Sequence, residues 1–247
     1  MRRHMIMFNA RSGSTVVGNH VAANLCTPAF DFNAHGLPST EIHDCEYDWY
    51  FDMISEINNK YPGIEWCMKW NIMCGHIDSM TKLNEKVNPE VIWYFNFDKV
   101  HHFFKSLGVT DLHFTFRHDI IDTICSFLIA EETGNWVIGK RKKAKYDKIT
   151  FTPEQISACI DSYDLAYQVY SRSVIEMMDK YDCHFYPYED LENIIDLDND
   201  PHGLIKQLSK EDKKHIITNY EEVERSIKES RIWKCQYDKQ TGVYSFD

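Results

Sequence analysis

Five consecutive residues, Arg11, Ser12, Gly13, Ser14 and Thr15, bring together the means to hold a tetrahedral anion: a guanidinium fork, three hydroxyl donors and a glycine that lets the backbone approach its ligand. They lie between a short apolar run at 4–8, which reads as a buried strand, and a run at 15–25 with helical character. A helix starting there aims its first amides and the positive end of its dipole at whatever the turn holds. Phosphate or sulfate fits that environment. On its own the pentapeptide equally describes a Ser/Thr-capped helix after an edge strand. The lysine-containing phosphate loop G-x-x-x-x-G-K-[ST] is absent, because the turn has one glycine and no following lysine.

A second group of chemically able residues follows another short apolar run, at 112–116, which comes after the helix stop at Gly108 and reads as a strand. That run leads into Arg117, His118 and Asp119, and Ser126 falls two turns into the helix that Asp119 begins. In an open α/β sheet both groups fall on the rim where ligands bind. Proton-handling side chains lie in the loop after the first helix: Asp31, His35 and, at the next helix start, Glu41. A basic run, Lys140, Arg141, Lys142, Lys143 and Lys145, is a second place to which an anion would be drawn, or a solvated loop.

The elements that must carry these groups alternate. Strands at 4–8, 65–70, 112–116 and 183–188 are interleaved with helices at 15–25, 41–61, 71–83, 101–107, 119–133 and 152–181. The last of these opens on Thr152-Pro153-Glu154, with threonine as the cap and proline at the first position. Residues 29–39, with Gly36 and Pro38, read as loop, and 91–97 as a strand or the turn into the next helix. Residues 209–231 read as one amphipathic helix, and the tail from 233 carries no pattern. This alternation predicts an α/β, three-layer sandwich with a mostly parallel central sheet. The 247 residues contain no linker or low-complexity tract, so we expect one domain over 1–247, with a core at about 4–191 and a helical C-terminal extension at about 200–247.

Composition narrows the function. A formal charge of -11 opposes general nucleic-acid binding, since phosphate backbones would be repelled over most of the surface. No run of apolar residues is long enough to span a membrane, and the segment after Met1-Arg2-Arg3 is too short for a signal-peptide core, so the expected location is cytoplasmic. The eight cysteines include no C-x-x-C pair and fit buried free thiols; Cys67, Cys74 and His76 match no common zinc spacing, and no metal is expected.

In this order, the motifs resemble the sulfotransferases that use 3'-phosphoadenosine 5'-phosphosulfate (PAPS), and especially the bacterial trehalose 2-sulfotransferase branch. That branch has a strand followed by R-S-G-S-T, a later strand ending in R-R-D with a serine in the next helix, and a T-G-x-W close. Here these stand as Arg11 to Thr15, as Phe114-Thr115-Phe116-Arg117-His118-Asp119 with Ser126, and as Thr133-Gly134-Asn135-Trp136. Cys67-Met68-Lys69-Trp70-Asn71 resembles the family's G-x-K-x-x-W-N strand, one residue shorter, and Tyr188-Glu189-Asp190-Leu191 matches its Y-E-D-L.

The resemblance implies a P-loop-NTPase-like sulfotransferase fold. It also implies that Arg11, Ser12, Gly13, Ser14 and Thr15 hold the 5'-phosphosulfate, and that Arg117 and Ser126 hold the 3'-phosphate. The family's 3'-phosphate arginine lies eight residues before the serine, and that position here is His118. Either Arg117 swings in, or His118 takes a weaker role, or the basic loop with Lys140 and Arg141 supplements the site. The implied reaction moves a sulfuryl group from PAPS to a hydroxyl of a small acceptor, a sugar or glycolipid among the candidates, and releases adenosine 3',5'-bisphosphate (PAP). Arg11 would stabilise the leaving oxygen. The branch's carboxylate base aligns with Asp31 in Pro28-Ala29-Phe30-Asp31-Phe32, and His35 is the second candidate. The alternatives are a non-catalytic nucleotide-binding protein of the same fold and, further off, an ATP-dependent phosphotransferase.

Overall fold

An apolar run whose alternate side chains are all buried belongs in the middle of a sheet with both faces covered. In the computed structural model, which describes residues 2–9, 12–25, 29–30, 58–59, 62–63, 65–71, 97–134, 146–195 and 208–245, that run is β1, Arg3–Phe8, with His4 to Met7 buried. Helix α1, Ser14–Leu25, follows it, then the two-residue β2, Ala29–Phe30, and β3, Trp66–Asn71. Helix α2, Phe97–Ser106, precedes β4, Asp111–Phe116, and α3, Ile120–Thr133, follows that strand. Helix α4, Pro153–Met177, leads to β5, Asp182–Pro187, a 3-10 turn at Tyr188–Asp190 and the short α5, Leu191–Ile194. Helices α6, Lys210–Ile216, α7, Tyr220–Glu229, and α8, Arg231–Lys234, end in a hairpin of β6, Gln236–Tyr237, and β7, Tyr244–Ser245.

The five-stranded sheet has the order β2-β3-β1-β4-β5, and every pairing in it is parallel. One face presents Met5, Met7, Leu112, Phe114 and Phe116 to Val100 and Phe104 of α2 and to Ala166, Val169, Tyr170 and Val174 of α4. The other presents Ile6 and Cys67 to Val17 and Val21 of α1 and to Leu191 of α5. Helices therefore cover both faces, as the alternation of elements predicts. At 25 residues α4 is about 37 Å long. Its second half covers the sheet, while Ile156, Cys159, Ile160 and Tyr163 in its first half pack with α3 and α7. Thr152 and Gln155 form the expected capping box, with the Gln155 amide donating to Thr152 Oγ1 at 3.3 Å and the Thr152 amide to Gln155 Oε1 at 2.9 Å.

Three expectations are corrected. Residues 29–30, read as loop, form an edge strand on β3. The helix expected over 209–231 is broken, because the Ile216 carbonyl accepts from Ile149 N and Thr218 N donates to the Ile149 carbonyl, both at 2.8 Å, which pulls that backbone out of the helix. The tail is not featureless: its hairpin inserts Tyr244 into the core beside Tyr167 and seats Gly242 against the ring of Phe116. The expected helices at 41–61 and 71–83 lie almost wholly outside the described residues, and among those that are described no helix is long and apolar enough to cross a membrane.

The α1 face of the sheet also buries two histidines, His4 and His113, with the exposed His184 beside them. His4 Nδ1 lies 2.9 Å from His113 Nε2, His113 Nδ1 lies 3.2 Å from the Tyr186 hydroxyl, and the His113 and His184 rings stack at 4.7 Å. Burial, and then the neighbouring His184 and His4, lower the His113 pKa to about 3. The unfolded chain, with an ordinary histidine, therefore binds more protons between pH ~6.5 and 3, and stability is lost as pH falls through that window. Denaturant titrations at several pH values should show a fall of up to ~1.4 kcal/mol per pH unit from this residue, and His113→Phe should flatten the dependence.

Candidate functional site

The chain leaves β1 toward β2 on one side of the sheet and leaves β4 toward β5 on the other, although β1 and β4 are neighbours. The C-terminal ends of β1 and β4 are thus the topological switch point, where open parallel sheets bind ligands. Ser12, Gly13, Ser14 and Thr15 stand at the end of β1, and Arg117 and His118 stand at the end of β4. Ser126 is buried on α3, while Arg11, Asp31, His35, Lys140 and Arg141 lie outside the described residues. The two halves inferred from separate stretches of sequence therefore meet on one rim.

They are joined directly. The Ser12 hydroxyl donates to the Asn9 carbonyl at 2.7 Å, and its oxygen is 2.6 Å from the hydroxyl of Thr115 on β4. With its one hydrogen given to Asn9, Ser12 must accept from Thr115. A second link is the ring of Tyr188, on the turn that leaves β5. The Arg117 guanidinium lies over that ring, 3.9 Å from its centroid. Gly13 lies close by: a Cβ there would fall 2.9 Å from Tyr188 Cδ2 and 2.8 Å from Leu191 Cδ1, and Gly13 also has a φ of 82°. Glycine is required here for both space and conformation.

The two helix starts on this rim differ in electrostatics. Helix α1 has no acidic residue in its first turn, and Val16 N and Val17 N both donate to the Gly13 carbonyl, at 3.0 and 3.2 Å. Its dipole is not opposed by a carboxylate from its own first turn, which suits an exogenous anion. At α3 the chain supplies its own anions. Asp119 Oδ1 accepts from Asp122 N at 2.8 Å, and the Glu189 carboxylate accepts from the amides of His118 and Asp119 at 3.0–3.1 Å.

Arg117 itself turns inward. It is 5% exposed, and its Nη2 donates to Asp122, whose other carboxylate oxygen accepts from Lys213 of α6. Lys213 is 2% exposed and also donates to the Asp122 carbonyl at 3.2 Å; burial lowers its pKa while Asp122 opposes that shift. One carboxylate thus serves two buried cations, and the Arg117 carbonyl accepts from the Tyr167 hydroxyl at 3.3 Å. His118 is partly exposed and its Nδ1 is bonded to the Tyr237 hydroxyl.

Asp122, Lys213 and Tyr237 were not legible as site residues, and Glu189 appeared only as part of a motif. Lys213 left one trace: it sits three residues before Ile216 on an otherwise apolar stripe, where a lysine needs a buried partner. Searches with protein-family models and against curated proteins find no match to this chain.

Two substitutions test the geometry. Gly13→Ala should lower the unfolding free energy by about 1–3 kcal/mol, through strain at positive φ and overlap with Tyr188 and Leu191. Asp122→Ala leaves two buried cations without their carboxylate and should cost about 3–5 kcal/mol, both measured by denaturant unfolding.

Proposed function

We propose that this chain is a PAPS-dependent sulfotransferase that moves a sulfuryl group to a hydroxyl of a small acceptor, a sugar or glycolipid being the favoured class. The observation that supports the reading is the meeting, at the switch point, of the Ser12 to Thr15 turn with the end of β4, which puts the two stretches proposed to hold the anions side by side. A donor with phosphates on both the 3' and 5' positions of its ribose needs such a pair. The all-parallel sheet, with a strand-turn-helix unit at its centre, is also what a P-loop-like sulfotransferase fold requires.

In the proposed reaction the acceptor oxygen attacks sulfur in line, the bond from sulfur to the phosphate oxygen breaks, and adenosine 3',5'-bisphosphate leaves. Negative charge grows on the departing oxygen, where the amides at the start of α1 and the guanidinium of Arg11 would stabilise it. The acceptor proton passes to a base, for which Asp31 and His35 are the candidates carried from the family resemblance. No step calls for a metal. A second reading, a nucleotide-binding protein without transferase activity, is favoured by one observation: Arg117 and the α3 amides are already paired within the chain.

Adenosine 3',5'-bisphosphate at about a hundred times its Kd should stabilise the protein by about 2.7 kcal/mol, several degrees in Tm, whereas ATP with magnesium should not. No shift at millimolar bisphosphate rejects nucleotide binding of this kind. Labelled sulfate transfer from PAPS to a panel of sugars and lipids then separates the enzyme from the binding protein.

A further inference from the structure

We infer that Tyr237 fixes the tautomer of His118 so that Nε2 carries the hydrogen offered to the nucleotide's 3'-phosphate, which makes the C-terminal hairpin part of the binding site. The inference rests on the nucleotide reading above and names the donor that replaces the family's arginine. Three kinds of donor stand at the end of β4. The Arg117 guanidinium is buried, stacked on Tyr188 and bonded to Asp122. The amides of His118 and Asp119 donate to Glu189. The third is the imidazole of His118, which is partly exposed.

That ring is held on its Nδ1 edge. The Tyr237 hydroxyl bonds Nδ1, and the ring stands edge-on to Phe116 and to Tyr237, at 5.4 and 5.1 Å between centroids. Among the described residues, Nδ1 is the polar atom within bonding distance of that hydroxyl. Burial raises the phenol's pKa, so the group stays protonated. With the phenol O-H as donor in this bond, the neutral imidazole accepts at Nδ1 and carries its hydrogen on Nε2.

The hairpin is well placed to hold this geometry. The Tyr170 hydroxyl donates to the Thr241 carbonyl at 3.0 Å, and the Tyr244 amide donates to Ser171 Oγ at 2.8 Å. A Cβ on Gly242 would lie 2.6 Å from Cγ of Phe116, so the turn is seated on the strand that delivers His118. Tyr237 acts through His118 and is a positioning residue.

The experiment uses the full chain and Tyr237→Phe, which keeps the ring and removes the hydroxyl. Nitrogen-15 NMR of the neutral His118 ring should show the Nε2-H form in the wild type and a mixture in the variant. Calorimetric titration with adenosine 3',5'-bisphosphate and with 5'-AMP should show the bisphosphate weakened about 3- to 10-fold in Tyr237→Phe and AMP unchanged. His118→Ala should likewise weaken only the bisphosphate, and His118→Gln, which keeps a neutral N-H donor, should recover part of the loss. A wild-type ring in the Nδ1-H form, or equal bisphosphate affinity in wild type and Tyr237→Phe, overturns the inference. If the wild type binds neither nucleotide, the nucleotide reading falls and takes the phosphate role with it, while the tautomer measurement still decides the Tyr237 contact on its own.

Discussion

The ring of Tyr188 is the contact on which the arrangement of the rim depends. It meets Gly13 on the β1 turn, lies under the guanidinium of Arg117 from β4, and belongs to the turn that leaves β5. Three neighbouring strand ends are therefore spaced by one aromatic side chain. Because a side chain larger than hydrogen at position 13 would overlap that ring, the small-residue turn and the tyrosine require each other. The hydroxyl pair Ser12 and Thr115 then sets the separation of β1 and β4 at the same level of the sheet.

Around that contact the chain distributes charge unevenly. The start of α1 lacks an acid in its first turn, while the start of α3 is surrounded by Asp119, Asp122 and Glu189. Isolated cations are not stable in an interior, and Asp122, lying between Arg117 and Lys213, offsets the burial of both. One consequence is a physical link between the C-terminal extension and the rim. Lys213 reaches Asp122 from α6, and Tyr237 reaches His118 from the hairpin, so residues far along the chain shape a crevice made by the first and fourth strands of the sheet.

The strands β1, β3, β4 and β5 were legible because each is a short apolar run bounded by turns, and the start of α4 was legible because its cap is local chemistry between Thr152, Pro153 and Gln155. What escaped depends on distant partners. The two residues of β2 form a strand only because β3 lies beside them, and the break after α6 exists because Ile149 captures the backbone at Ile216 and Thr218. The same holds in the site. The common rim of Ser12 to Thr15 and Arg117 could be inferred from strand-turn-helix spacing, but the inward turn of Arg117 is set by Asp122, Tyr188 and Lys213, and the orientation of His118 by Tyr237.

If the ends of β1 and β4 hold the two phosphates of one nucleotide, as proposed, the two stretches respond together. Hydrogen exchange of the full chain, followed by mass spectrometry with and without saturating adenosine 3',5'-bisphosphate, tests that most directly. The account predicts slowed exchange in peptides covering residues 12–17 and in peptides covering 115–120 at the same ligand concentration. Protection of one stretch without the other, or of neither, would contradict it.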